Sequence, residues 1–254
     1  MTISIITVAL NNASTIKRTI ESVLSQTYGD IEYIFVDGGS NDDTIEIAKT
    51  AQKYFNGRMK IHVLDKSSIY EAANFGIRHS SGEIIGMLNA DDMFTSPQII
   101  DLVASNFVGN NADNEMLYAD IHYFTPPRTD LTTRYYSAKN FKPSLLKFGF
   151  APPHPSLYVR RDVFESYGYY REDYKLAADF EFFVRTLWNT KLKAVYLPVD
   201  MVAMQSGGVS TKWRNRLYTN WIEKRRALRE NNVKSSYFLL AARYLFALKH
   251  FFKK

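Results

Sequence analysis

The chain has 254 residues, 46% of them hydrophobic and 15% aromatic, which is material for one large domain or a domain with an appendage. It contains no cysteine, so disulfides and thiolate metal sites are excluded, as fits a reducing cytoplasm. The net charge of +6 is unevenly spread: residues 212–254 hold 12 Lys/Arg against 2 Asp/Glu while the rest is mildly acidic, which suggests an anionic surface as partner of the tail and speaks against nucleic acid.

In chain order, Met1 to Ala9 opens as a strand without the charged leader of a signal peptide. Ile3 to Val8 is an apolar, β-branched run typical of a parallel strand buried on both faces. Asn12 or Ser14 can cap the helix that follows, with Ile16, Ile20, Val23 and Leu24 on one face. Glu32 to Val36 is a second strand running into Asp37. A helix over Asp43 to Tyr54, a strand over Lys60 to Leu64, a helix over Ile69 to His79 and a strand over Glu83 to Leu88 follow. This alternation predicts βαβ units and a mostly parallel, Rossmann-like central sheet flanked by helices, an α/β fold.

From about Glu115 the rhythm breaks. Met116 to Ile121 reads as a strand, Pro126-Pro127 as a loop and Thr132 to Tyr136 as a strand in a hairpin. Three prolines exclude a helix from Ala151-Pro152-Pro153-His154-Pro155. Asp179 to Trp188 reads as a helix and Ala194 to Leu197 as a strand that Pro198 stops. Arg214 to Asn231 and Tyr237 to Phe252 read as two C-terminal helices. No stretch approaches ~20 uninterrupted apolar residues, so no transmembrane helix is expected.

Ligands of an open parallel sheet bind outside the carboxyl ends of its strands. Those ends here are Asn11-Asn12, Asp37-Gly38-Gly39-Ser40, Asp65-Lys66 and Asn89-Ala90-Asp91-Asp92, so three successive strands deliver carboxylates to one edge. Adjacent carboxylates at the end of a core strand are costly unless compensated. Hard oxygen ligands suit Mg²⁺ or Mn²⁺, ions that arrive with a substrate's phosphates. The competing reading is a helix N-terminus, because Ser96-Pro97 starts a helix just beyond; Asp37 and Asp179 likewise have readings as an Asx turn and an N-cap.

The order and spacing of several segments carry a resemblance over residues 3 to about 210. They are Ser4-Ile5-Ile6-Thr7-Val8, Phe35 to Thr44, Ile69 to Ile77, Ser81-Gly82-Glu83 with Leu88 to Asp92, His154-Pro155-Ser156, and Ala177-Ala178-Asp179-Phe180-Glu181. Together they resemble the family 2 glycosyltransferases of GT-A fold, and most of all the bacterial enzymes that build capsule, O-antigen or exopolysaccharide (colanic-acid-type) repeat units. The resemblance implies a GT-A catalytic domain over 1–211, with a nucleotide-sugar-binding half over 1–112 and an acceptor half over 113–211, followed by a basic amphipathic helical tail over 212–254.

It also implies roles. Val8, Asp37, Asp65, Tyr70, Asn74, Asn89, Ala90 and Asp91 would line the nucleotide-sugar donor, probing base, ribose and diphosphate. Asp91, helped by Asp92, would hold the Mg²⁺ or Mn²⁺, and Asp179 would be the general base of an inverting transfer from a UDP-sugar to a saccharide or lipid-linked saccharide. His154 would border the acceptor, and Gly207-Gly208 would hinge a lid. Two departures stand out: Asn89 replaces the acidic residue that usually begins the metal motif, and Asp65 to Tyr70 lacks the usual glycine. The alternatives are a non-catalytic nucleotide- or glycan-binding module, which Asn89 favours, and a sugar nucleotidyltransferase, which the absence of a Gly-rich basic loop after the first strand disfavours.

The tail mixes Trp213, Trp221, Tyr237, Phe238, Tyr244, Phe246, Phe251 and Phe252 with Arg and Lys. A cationic amphipathic helix of this kind can lie on the inner face of a plasma membrane. The same pattern serves a helical pair that packs on the body or joins two copies.

Overall fold

The computed structural model describes residues 1–188, 190–207 and 218–242. The first half alternates as expected: β1 (Ile3–Ala9), α1 (Ile16–Leu24), β2 (Ile31–Asp37), α2 (Thr44–Gln52), β3 (Met59–Val63), α3 (Ile69–His79), β4 (Ile84–Met87), a short β5 (Met93–Phe94) and α4 (Ile99–Ser105). The second half adds β6 (Met116–Thr125), β7 (Arg128–Tyr136), β8 (Tyr158–Arg160), α5 (Arg161–Tyr167), α6 (Ala178–Leu187), β9 (Ala194–Gln205) and α7 (Lys224–Glu230). The nine described strands form one sheet in the order β3-β2-β1-β4-β8-β6-β9-β5, with β7 on β6.

The strands β3, β2, β1 and β4 are parallel. The sheet then turns mixed, because β8 runs antiparallel to both β4 and β6 while β9 lies parallel to β6. Parallel pairing therefore dominates the first half only. The period-2 alternation of each strand feeds two apolar layers. Ile31, Tyr33 and Phe35 of β2 face α1, α2 and α4, whereas Ile34 and Val36 face α3, α5 and α6. All seven residues of β2 are buried, which is why it reads as a continuous apolar run.

The structure corrects several boundaries. Pro198 does not stop its strand. The β6–β9 pairing jumps from Ala119↔Leu197 to Asp120↔Asp200, so Pro198 sits in a bulge outside the ladder and its missing N–H costs nothing. The proline-rich loop does contain one 3-10 turn, His154–Ser156, with Pro155 at its second position, where no donor is needed. The residue before α1 is Thr15, and no side chain caps that helix end. By contrast α3 has a full capping box, with Ser68 Oγ accepting from Glu71 N and the Glu71 carboxylate accepting from Ser68 N.

The described part of the tail packs on the body. Ala227, Leu228, Val233 and Leu240 are buried in the same apolar layer as α6. The remainder of the expected tail helices, residues 212–217 and 243–254, lies outside the described residues. No helix among the described residues is long and apolar enough to cross a membrane.

Candidate active site

Register brings the strand ends together. Ala9 is level with Asp37, Asp37 with Val63, and Leu88 N donates to Ile6 O at the end of β4. The loops after β1, β2, β3 and β4 thus share one rim, as the strand pattern requires. Asp37 shapes this rim from inside. Its Oδ1 accepts from Gly39 N at 2.9 Å and Ser40 N at 2.7 Å, and its Oδ2 accepts from Ser40 Oγ at 2.6 Å. Ser40 Oγ in turn accepts from Asn11 N, tying the β2 loop to the β1 loop. Asp37 makes the Asx turn, and that turn is part of the rim.

Gly39 adopts φ +97, and a Cβ there would stand 3.1 Å from Lys66 N, so only glycine lets the β3 loop close on the β2 loop. Lys66 takes the left-handed bend (φ 53) in the stretch that lacks the usual glycine, and Asp65 beside it is exposed. Val8 is half-buried and packs toward the α3 layer.

The loop after β4 presents Asn89, Ala90, Asp91 and Asp92. Ala90 O accepts from Thr15 Oγ1. Asp92 turns inward: it is buried, and its oxygens accept from Asn89 Nδ2 at 2.8 Å and Gln205 N at 3.2 Å. Burial first, and the adjacent Asp91 charge second, hold the Asp92 carboxyl well above the usual carboxylate range. Asp91 is only partly buried. Burial raises its carboxyl too, opposed by its own backbone amide and by Arg18.

A desolvated carboxylate at the rim fits a divalent cation, because the ion offsets the hydration that burial takes from the charge. No cluster of three or more His, Cys, Asp or Glu capable of holding a metal occurs among the described residues. The donor set of Asp91, Asp92 and neutral Asn89 therefore fits an ion that brings ligands of its own with a diphosphate, rather than a protein-only cage.

A second group lies at the start of α6. Asp179 stands in its first turn, partly exposed, and Tyr70 Oη donates toward Asp179 Oδ1 at 3.4 Å. Burial and then the Asp179 charge push that hydroxyl well above its ordinary range, so it stays protonated. His154 is beside them, its Nε2 at 2.9 Å from Tyr170 Oη, and burial lowers its pKa against the opposing pull of Asp179. Asn74, expected at the donor, is buried and faces the protein instead. Its Nδ2 donates to Tyr170 O and Glu172 Oε1, and its Oδ1 accepts from Tyr170 N, which pins the segment leading to α6. Arg185 forms the plain ion pair with Glu181 that i,i+4 spacing offers.

Three residues at the site were not singled out by the sequence. Arg18 of α1 donates from Nη2 to Asp91 O at 2.9 Å and to Gln205 Oε1, with its guanidinium 5.0 Å from the Phe124 ring centroid. Gln205 ends β9 and so touches both Asp92 and Arg18. Glu223 reaches from the tail to the segment before α6. The first two had a faint signal, a cation in the helix after β1 (one of two, with Lys17) and a polar residue ending an apolar strand; the third had none. Gly207 follows with φ +99 and is exposed, while Gly208 lies outside the described residues.

A family model described as "Glycosyl transferase family 2" matches residues 4–167. The chain is 29% identical over 208 residues to a "PGL/p-HBAD biosynthesis glycosyltransferase" of Mycobacterium bovis, covering 82% of this chain and 78% of that one. Among solved structures it resembles Staphylococcus aureus TarS 1-349 in complex with UDP, with a TM-score of 0.69 at 16% identity, over 95% of this chain and 70% of that one. It spans 37% of a longer TarS chain. It also resembles the mannosyltransferase PcManGT from Pyrobaculum calidifontis in complex with GDP-Man and Mn²⁺, with a TM-score of 0.61 at 15% identity, over 99% of this chain and 81% of that one.

Proposed function

Because this chain belongs to glycosyl transferase family 2 and has its GT-A fold, we propose that it moves a sugar from a UDP-sugar to a hydroxyl of a saccharide or lipid-linked saccharide, with inversion, in surface polysaccharide synthesis. The observation that carries this reading is the separation of tasks in one structure. A rim of strand-end loops offers Asp37, Asp65 and Asp91, and a partly exposed carboxylate stands apart from it on α6. The structural relatives solved with UDP, or with GDP-Man and Mn²⁺, support a nucleotide-sugar and a divalent ion.

In this reading the Asp37 turn and the exposed Asp65 receive the base and ribose, with Val8 beneath them. Asp91, with Asn89 and Ala90 beside it, faces the diphosphate. Asp92 orients Asn89 and the end of β9 and helps Asp91 with the ion through a lone pair that its two hydrogen bonds leave free. Mg²⁺ or Mn²⁺ held there would neutralise charge on the departing diphosphate.

Asp179 accepts the proton of the acceptor hydroxyl. The freed oxygen pair forms the new bond to the anomeric carbon, and the bond from that carbon to the diphosphate oxygen breaks with its electrons on the nucleoside diphosphate. Attack from the face opposite the leaving group inverts the configuration. His154 borders the acceptor, Gly207 hinges a lid, and the protein meets an anionic membrane at the cytoplasmic face, where lipid-linked acceptors lie.

The test uses the full chain with a panel of nucleotide-sugars and Mn²⁺. One nucleotide-sugar should raise the melting temperature, and with an acceptor it should release nucleoside diphosphate. Asp179→Asn should keep the donor-induced shift and lose turnover, whereas Asp91→Ala should lose both. Wild-type turnover in either variant overturns its role, and donor binding without release by the wild type would instead mark a non-catalytic binding module.

A further inference from the structure

We infer that Glu223 is a positioning residue for the transfer step, so that the C-terminal segment is part of the catalytic scaffold. The inference rests on the reading of Asp179 as the base. Glu223 ends a π-helical turn, Thr219–Glu223, that leads into α7. It is 2% exposed, a carboxylate in the interior. Its Oε1 accepts from Lys175 N at 2.6 Å and its Oε2 from Leu176 N at 2.8 Å.

Those two amides lie just ahead of α6. Ala177, the N-cap of α6, has no side chain that can hold the helix start. Tyr70 Oη reaches the Asp179 carboxylate from one side, and Glu223 holds the amides of residues 175 and 176 on the other. Asp179 is thereby fixed between an element of the donor half and an element of the tail.

A buried carboxylate persists only where its oxygens are satisfied, and here two backbone donors satisfy them. A glutamine cannot replace it without penalty, because it offers one acceptor and turns an N–H₂ toward the second amide. The rest of the segment has separate ties to α7. Asp173 pairs with Arg226, Glu230 pairs with Arg171, and Tyr174 Oη donates to Glu230. Loss of Glu223 therefore leaves the loop docked and releases only the last residues before the base. A displacement of about 1 Å at a reacting group can cost on the order of a hundredfold in rate.

The experiment compares Glu223→Gln, Glu223→Asp and Asn231→Ala in the full chain. Asn231→Ala removes another tie between this segment and α6, the bond from Nδ2 to Glu181, without touching residues 175–176. Glu223→Gln should lower kcat about tenfold to a hundredfold while the KM for the nucleotide-sugar and the donor-induced thermal shift stay at wild-type values. Glu223→Asp keeps both acceptor oxygens on a shorter arm and should recover part of kcat. Asn231→Ala should keep kcat at an equal loss of melting temperature. Wild-type kcat in Glu223→Gln, or a loss no greater than that of Asn231→Ala at equal melting temperature, overturns the inference. Turnover by Asp179→Asn overturns the base reading and this inference with it. An inactive Asp179→Asn beside an unimpaired Glu223→Gln overturns the positioning role alone.

Discussion

Tyr70 Oη lies 3.4 Å from Asp179 Oδ1, although the two residues are 109 positions apart. One is anchored in the α3 layer beneath the strand-end rim and the other stands in the first turn of α6, so this contact joins the two halves of the chain. Because burial keeps the tyrosine protonated, it acts as a donor to the carboxylate.

Tyr70→Phe therefore tests the join. It keeps the ring, which is packed 6.0 Å from the Tyr170 ring, and removes only the hydroxyl. The expected result is a kcat about tenfold lower, from one hydrogen bond of about 1.5 kcal/mol to a charged group, with little change in KM for the donor. Steady-state release of nucleoside diphosphate measures it, and an unchanged kcat dismisses the hydroxyl's role.

Arg18→Met tests the other end of the site. The guanidinium braces Asp91 O and the Gln205 side chain together, and burial lowers its pKa against the pull of Asp91 and Asp92. Removing it should loosen the loop after β4, and if that loop receives the diphosphate as proposed, KM for the nucleotide-sugar should rise about tenfold, the effect of losing roughly 1.5 kcal/mol of charged hydrogen bonding. Titration of donor binding by thermal shift gives the same number independently of turnover.

Glu32→Gln should change stability and its pH dependence while leaving the site intact. Burial alone would raise the Glu32 carboxyl. Lys60, Ser81 N, Ser4 Oγ and Ser81 Oγ together outweigh it and hold the carboxyl down to about 2. A group depressed in the folded state adds stability that is complete above its ordinary value near 4.5 and is lost as the pH falls toward 2. With Lys60 half exposed, that contribution is on the order of 2 kcal/mol. Wild type should therefore unfold at higher denaturant than Glu32→Gln at pH 7, and the gap should close near pH 2; a constant gap would show that the charge is not its source.

Gly82→Ala should destabilise the sheet. A Cβ there would stand 2.5 Å from Ser4 Oγ, 2.6 Å from Ser4 N and 2.9 Å from Thr2 O, and two of those three atoms are backbone of β1 or its approach. The strand cannot yield without breaking its pairing, so a loss of about 2–4 kcal/mol is expected in equilibrium unfolding. A loss below 1 kcal/mol would mean that β1 and the β4 approach separate easily.

The sequence by itself determined the parallel half of the sheet, from Ile3 to Leu88, because a strand buried on both faces must be apolar at every position and an amphipathic helix must repeat every 3.6 residues. It also placed Asp37, Asp65 and Asp91 on one edge, since parallel strands that alternate with helices all point the same way. Those are local signals, carried by residues next to one another in the chain. Tertiary structure decided what no local signal holds. The bulge at Pro198 comes from the partner strand β6, the inward turn of Asp92 from Gln205 more than a hundred residues away, and the Asn74 clamp from the backbone at Tyr170. The tail is the clearest case. Its basic and aromatic composition describes a surface helix, yet Glu223 is buried and holds the approach to Asp179, because a carboxylate's surroundings are set by which backbone amides the fold brings to it.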